Sequence, residues 1–169
     1  MISDKMNKAI NDQINRELYS AYLYLSMAAH AANINLKGFE NWLKVQAMEE
    51  MTHANRFYEY VNDQNGKVTL AAIDAPPANF SSPADIMKKT LDHEKFVTKN
   101  IHNLVTLAKK ENDYATDTHL QWFVTEQIEE EKTASEILQM VEMAGKSGGA
   151  LLMLDHQLAK RKFGGEAKN

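Results

Sequence analysis

Four glutamates lie inside the apolar stripes of four segments that carry a helical pattern. Glu17, Glu50, Glu94 and Glu130 each lie near the middle of such a segment, and His53 follows Glu50 by three residues on the same helical face. An unpaired buried carboxylate costs roughly several kcal/mol even after relaxation, and these stripes contain no lysine or arginine that could offset the charge. The chain must therefore fold so that its buried acids meet cations, and metal ions are the simplest source.

The apolar spacing and the breaker residues predict five helices. The first begins after Ser3 or Asp4 and ends near Ala32, and the second covers about residues 36–64. The third has a capping serine and a first-turn proline in the sequence SPAD at 82–85, and it ends near residue 111. The fourth runs from a turn at 112–113 to near Gly145, and a short fifth helix covers about 149–162.

The connection between the second and third helices determines the predicted topology. Residues 65–82 lack a helical pattern and contain Asn65-Gly66 and Pro76-Pro77. An extended connection of this length spans nearly 60 Å, whereas a helix of about 28 residues is only about 42 Å long. We therefore predict an all-α fold with one domain over 1–169. It consists of a four-helix bundle at about 4–143 with one long crossover, plus the short fifth helix, and it places all four glutamates at one level.

The composition excludes several classes of function. The chain has no cysteine, which excludes disulfides, thiolate catalysis and cysteine-ligated zinc or iron–sulfur sites. Its net charge of −4 gives no electrostatic footprint for nucleic acid. The N-terminal residues lack the apolar core of a signal peptide, and no apolar run approaches the ~18 residues that span a membrane. We expect a cytoplasmic protein without nucleic-acid or membrane partners.

The candidate ligands indicate the type of metal. One imidazole among carboxylates is a set of mostly hard oxygen donors, which favours iron or manganese over copper or a closed zinc site. Tyr24, two turns after Glu17, is either a core tyrosine bonded to a carboxylate or an electron donor near the metals. Gln127, one turn before Glu130, is a neutral candidate next to the same site. A further acidic group is either a third cation site or a solvated face; it comprises Glu49, Glu126, Glu129 and Glu130.

Three stretches of the sequence resemble prokaryotic non-haem ferritins, and the likeness extends over nearly the whole chain. They are NRELYSAYLY at 15–24, EEMTHA at 49–54 and EQIEEEK at 126–132. The resemblance implies the ferritin-like bundle, a ferroxidase centre that oxidises Fe(II) with dioxygen or peroxide, and a 24-subunit shell that stores the ferric mineral. It also implies a position for the fifth helix around the four-fold axes of that shell.

The same resemblance assigns the iron ligands. The first iron would bind Glu17, Glu50 and His53, and the second would bind Glu50, Glu94 and Glu130, with Glu50 bridging. The third site of the bacterial branch would comprise Glu49, Glu126, Glu129 and Glu130. Apolar residues on nearly all sides of 18–32 independently indicate a subunit interface.

Three alternatives remain open in the sequence. Bacterioferritin has a second Glu-x-x-His where this chain has Gln127 to Glu130, so we expect no haem, although Met51 matches the position of its haem-ligating methionine. Di-iron oxygenases and peroxidases of the same bundle type typically have two Glu-x-x-His motifs. A metal-free helical interaction module would not explain acids inside the apolar stripes.

Overall fold

The computed structural model describes residues 1–164, and this part of the chain folds into five helices without a β-strand. Their bounds are α1 Asp4–Asn33, α2 Lys37–Asp63, α3 Pro83–Glu111, α4 Tyr114–Ala144 and α5 Gly148–Leu158. The first two form one helical hairpin and the next two form another, and α1 also packs on α3. The predicted all-α bundle with a long crossover is confirmed. None of these helices is both long and apolar enough to cross a lipid bilayer.

Short polar side chains define the helix ends. The hydroxyls of Ser3, Ser82 and Ser147 accept hydrogen bonds from backbone N–H groups three residues later, which satisfies donors at the starts of α1, α3 and α5. Asn35 and Asn112, in the two short turns, adopt left-handed φ angles of 59° and 55°. Asparagine tolerates this conformation well, so each turn reverses the chain within a few residues.

The fifth helix is shorter than predicted. It ends at Leu158 rather than near residue 162. At this end the side chain of Asn41 donates hydrogen bonds to the backbone carbonyl oxygens, in place of the next helical turn. The amide nitrogen of Asn41 lies 3.3 Å from the carbonyl oxygens of Leu158 and Ala159 and 2.9 Å from that of Arg161. Side-chain donors of this kind satisfy the last carbonyls of a helix and allow the chain to leave it.

A buried aspartate attaches α5 to the start of α2. Oδ1 of Asp155 accepts hydrogen bonds from the backbone N–H groups of Gly38, at 2.8 Å, and Phe39, at 3.0 Å. A Cβ at Gly38 would lie 1.6 Å from the carbonyl oxygen of Asp155. Only glycine therefore permits this close approach of the two helices.

The crossover lies along α1 and is held by three asparagines spaced four residues apart. Asn7 both donates to the carbonyl of Lys67 and accepts from its N–H, and Asn11 accepts from the N–H of Thr69 at 2.6 Å. Asn15 donates to the carbonyls of residues 71 and 72. We call Asn7, Asn11 and Asn15 the asparagine ladder. It satisfies the backbone of an extended segment that has no strand beside it.

The core of the bundle consists of two apolar clusters, one toward each end. Between them, each of the four long helices contributes a buried glutamate. One cluster contains residues such as Met27, Phe39 and Val141, and the other contains residues such as Ile10, Phe57 and Ile101. On every helix the glutamate falls between the residues of the two clusters, so the acids form a polar layer across the middle of the bundle.

Candidate metal centre

The polar layer contains the five residues that the sequence singled out, and all of them are buried. Glu17, Glu50 and Glu94 are each 1% exposed, His53 is 4% exposed and Glu130 is 7% exposed. Each lies mid-helix within a run of apolar neighbours at helical spacing, so the packing of those neighbours turns the acid inward. Four helices thereby direct their acids toward one region of the interior.

Two groups of side chains have donor atoms close enough to share a metal ion. In the first, one ligand atom from each of Glu17, Glu50 and His53 lies within 4.8 Å of the others. The second contains His53, Glu126 and Glu130 under the same limit. His53 belongs to both groups, and its ring contacts the edge of Trp122 at a centroid distance of 5.5 Å. The structure thus brings Glu126, which is half-buried, into the same arrangement as the mid-helix acids.

Glu94 lies in the polar layer but joins neither group. Its carboxylate accepts a short hydrogen bond from the Tyr24 hydroxyl and another from the amide of Gln127 at 3.1 Å. Tyr24 is fully buried. Gln127 also donates to the backbone carbonyl of Glu94 at 3.2 Å. Both residues that the sequence placed beside the site therefore contact the same carboxylate.

Two further glutamines contact the remaining acids. The amide of Gln13 donates to Glu17 at 2.7 Å, and the amide of Gln46 donates to Glu130 at 2.6 Å and to Glu50 at 3.5 Å. Each glutamine precedes a glutamate of its own helix by four residues, a spacing that brings side chains together. That spacing was a visible signal in the sequence, although neither glutamine was predicted as a site residue. One acid atom, Oε2 of Glu17, is buried without a hydrogen-bond partner.

Burial and mutual repulsion raise the pKa values of these carboxyl groups. Burial, and after it the charge of Glu50, raises the pKa of Glu17 from an ordinary value of 4.5 to about 8. Burial together with the charge of Glu94 raises the pKa of Glu130 to about 8 as well. The pKa of Glu50 lies well above its ordinary value, first through burial and then through Glu94 and Glu130. A bound cation would reverse this balance, since it favours the ionised carboxylates.

The second acidic group lines a cavity of about 530 Å³ on the side of the bundle. We call it the outer acidic cavity; its lining includes the four predicted acids, Glu49, Glu126, Glu129 and Glu130, together with Glu136. Glu130 also belongs to the polar layer, so the cavity adjoins the buried acids. Glu49 forms a short ion pair with Arg161, which follows α5. Arg161 was not predicted from the sequence, because its contacts to α2 depend on how α5 docks.

Met51, the residue that matched a haem ligand, is half-exposed on the outer surface of α2. It lines an apolar groove of about 570 Å³ between α1 and α2. The groove includes Leu18, Tyr22, Leu25, Met48 and Met51. Four of these five side chains, all except Leu18, are about half exposed. An exposed apolar patch of this kind is typical of an interaction surface.

Comparisons with known proteins place this arrangement in a family. A family model described as a ferritin-like domain matches residues 7–144. The chain is 35% identical over 163 residues to the bacterial non-heme ferritin of Staphylococcus aureus, covering 96% of this chain and 98% of that protein. It is 37% identical over 158 residues to a probable bacterial non-heme ferritin-like protein of Haemophilus influenzae, covering 94% of this chain and 96% of that protein.

Two solved structures are close neighbours of the fold. One is an engineered closed form of the Archaeoglobus fulgidus ferritin, with a TM-score of 0.96 and 47% identity, covering 96% of this chain and 99% of that one. The other is the open-pore ferritin of the same archaeon, with a TM-score of 0.95 and 46% identity over 96% of this chain and 100% of that one. Both structures match 96% of this chain, whereas the family model covers residues 7–144.

Proposed function

The chain belongs to the ferritin family of iron-storage proteins, in which the non-haem ferritins are ferroxidases, and from this premise we propose how it handles iron. Fe(II) is the substrate of a dinuclear site in the polar layer. Electrons pass from the iron to dioxygen or hydrogen peroxide, and the Fe(III) product accumulates as a mineral inside a shell of 24 subunits.

One observation carries the proposal: four buried glutamates share a layer, and no lysine or arginine is buried in residues 1–164. If the acids had only a structural role, they would need buried counter-charges. Apolar residues in the same positions are often at least as stabilising as a buried ion pair. The layer instead offers ionisable oxygen donors with one histidine, a set that suits Fe(II) and Fe(III). The glutamine amides that donate hydrogen bonds to these carboxylates are neutral. A carboxylate that turns from its amide to a metal ion therefore leaves no buried positive charge.

The residues have separate proposed roles. Glu17, Glu50 and His53 hold the first iron, and Glu50, Glu94 and Glu130 hold the second, with Glu50 between them. Glu126 adds an oxygen donor next to His53 and Glu130. Two Fe(II) ions together supply the two electrons that reduce one dioxygen to hydrogen peroxide, and two protons complete that product. The Tyr24 hydroxyl contacts Glu94, and this contact supports a proposed role as a donor of a further electron or a proton.

A third iron position is proposed for the outer acidic cavity, where Glu49, Glu126, Glu129 and Glu130 surround one space. An ion bound there would lie beside the dinuclear site, because Glu130 lines both. The alternative is a solvated acidic face, which would bind cations only weakly.

The proposed shell is supported by the apolar groove between α1 and α2. Side chains such as Tyr22, Leu25, Met48 and Met51 are about half exposed there, and contact with another subunit would cover them. On a surface that faces only solvent, four neighbouring positions would normally include more polar side chains than these four. Particle size is therefore part of the functional test.

Aerobic addition of Fe(II) to the metal-free protein tests the proposal, with absorbance recorded in stopped flow and particle size measured on the same sample. We expect rapid oxidation and a mineral-filled particle of several hundred kDa. Glu94→Ala should slow the initial oxidation while the particle still assembles, since removing one carboxylate relieves repulsion in the metal-free state. Glu59→Ala, at an exposed position of α2, is the control. Equal initial rates in the Glu94 variant and the parent would contradict the assigned site.

A further inference from the structure

Arg161 contacts two parts of the metal centre at once. Its Nη1 donates to Oε1 of Gln46 at 2.8 Å, and its Nη2 donates to Glu49 in a short ion pair. The guanidinium also lies over the Trp42 ring, 4.6 Å from the centroid. One side chain from the segment after α5 thus reaches both the polar layer and the outer acidic cavity.

The contact with Gln46 fixes which way its amide points. A guanidinium has only donors, so the Gln46 atom that faces it must be the carbonyl oxygen. The NH₂ group then faces inward and donates to Glu130 at 2.6 Å and to Glu50 at 3.5 Å. The reversed amide would place an oxygen against two carboxyl groups and would lose the bond to Arg161. Arg161 therefore orients two candidate ligands through one intermediate residue.

The contact with Glu49 acts at the outer acidic cavity. Glu49 is one of the carboxylates of that cavity, and the guanidinium supplies a cation there before any metal arrives. A metal ion that recruits Glu49 must compete with this cation. The pair is about three-quarters buried, with exposed side-chain fractions of 21% for Arg161 and 26% for Glu49, so solvent screens it only partly.

The backbone around Arg161 is also held in place. Asn41 of α2 donates to its carbonyl oxygen at 2.9 Å, as well as to the carbonyls at the end of α5. Because α5 is attached to α2 through Asp155, the position of Arg161 depends on the docking of the fifth helix. Side-chain placement of this kind is preorganised rather than acquired on binding.

We propose that Arg161 is a positioning residue that orients Gln46 toward the buried carboxylates and competes with metal for Glu49. This inference rests on the proposed function, since both consequences concern metal binding. It predicts opposite effects at the two places when the guanidinium is removed. Metal in the polar layer binds more weakly, because Gln46 no longer fixes Glu130 and Glu50, and metal in the outer acidic cavity binds more tightly.

The test is calorimetric titration of the assembled, metal-free protein with Zn²⁺, which does not undergo oxidation. In Arg161→Ala we expect affinity in the outer acidic cavity to rise about tenfold, and affinity in the polar layer to fall about threefold to tenfold. Glu49→Gln identifies the steps that belong to the outer cavity. In the double variant the tenfold gain should vanish, and the loss in the polar layer should remain.

Two single variants separate the proposed effects. Arg161→Lys keeps the positive charge but has no planar fork, so it should retain the competition for Glu49 and lose the orientation of Gln46. Lys162→Ala removes the charge next to Arg161 at an exposed position that is outside the cavity lining, and it should change neither affinity more than twofold. Circular dichroism and particle size confirm that each variant remains folded and assembled.

The outcomes distinguish the inference from its premise. If the parent protein binds no Zn²⁺, the proposed metal centre itself is wrong. If the parent binds Zn²⁺ and the Arg161→Ala titration matches it, the centre stands and the role of Arg161 is wrong. Weakening at both places, or an equal change in Lys162→Ala, would also overturn the role, because a general loss of packing or charge would then explain the effect.

Discussion

Glu17→Gln should remove a measurable share of the pH dependence of the stability of the metal-free protein. Burial raises the pKa of Glu17 to about 8, whereas an unfolded chain has the ordinary value of 4.5. Between these values the folded protein holds a proton that the unfolded chain has released. The folded state is therefore favoured at low pH, and this contribution is lost as the pH rises toward 8.

The magnitude follows from the size of that interval. Each pH unit between the two pKa values changes the free energy of unfolding by about 1.4 kcal/mol per subunit. From about pH 5 to about pH 8 the loss amounts to about 4 kcal/mol. For a domain of this size, 1 kcal/mol shifts the thermal midpoint by roughly 2–4 °C, so Glu17 should account for a fall of roughly 10 °C.

The assay is the thermal midpoint of the metal-free protein, measured by circular dichroism across this pH range. Glutamine keeps the size of Glu17 and its oxygen can still accept from Gln13, but it cannot ionise. The midpoint of Glu17→Gln should therefore fall less steeply with pH than that of the parent, by the share assigned to Glu17, while the other buried glutamates keep their contribution. Glu59→Gln, at an exposed position, should follow the parent. Parallel pH profiles for Glu17→Gln and the parent would refute the reasoning and would mean that Glu17 is already ionised without metal.

Two further predictions concern proton release on metal binding and the attachment of α5. Zn²⁺ added to the metal-free protein at about pH 7 should release protons, because Glu17 and Glu130 have pKa values of about 8 and must ionise to bind metal. A pH-stat should record less proton release at about pH 9. Equal proton release at the two pH values would contradict the raised pKa values. Gly38→Ala should destabilise the protein by about 2 kcal/mol, since its Cβ would collide with the backbone of Asp155. Gly149→Ala, where the same Cβ meets no atom within 4 Å, is its control in thermal unfolding, and equal midpoints for the two variants would show that α5 moves aside without cost.

Much of the fold could be predicted because the helical pattern is unusually regular. In α2 the residues that recur at helical spacing on one face are all buried; they are Phe39, Trp42, Leu43, Gln46, Glu50, His53, Phe57 and Tyr60. The level of the acids could be predicted as well, because each lies near the middle of a helix of similar length. The end of α5 could not, since it depends on Asn41, a residue more than one hundred positions earlier in the chain.

The surroundings of the candidate site were predicted less completely. Tyr24 and Gln127 follow from helical spacing, and both contact Glu94. The grouping of His53 with Glu126 was not predicted, because it depends on the rotation of α4 against α2. The contacts of Arg161 could not be predicted for a similar reason. They depend on how α5 docks against α2, and the apolar pattern of α5 does not indicate which residues of α2 the following segment contacts.

The asparagine ladder has a consequence for how this protein can change. Asn7, Asn11 and Asn15 bind the crossover through its backbone, so the bonds do not depend on which side chains the crossover carries. Residues 69–75 are all exposed. Substitutions in this segment therefore leave its attachment to α1 intact as long as the three asparagines persist, although Ile73 also lines the apolar groove. A peptide inserted away from Ile73 would be displayed on a bundle whose metal centre lies elsewhere.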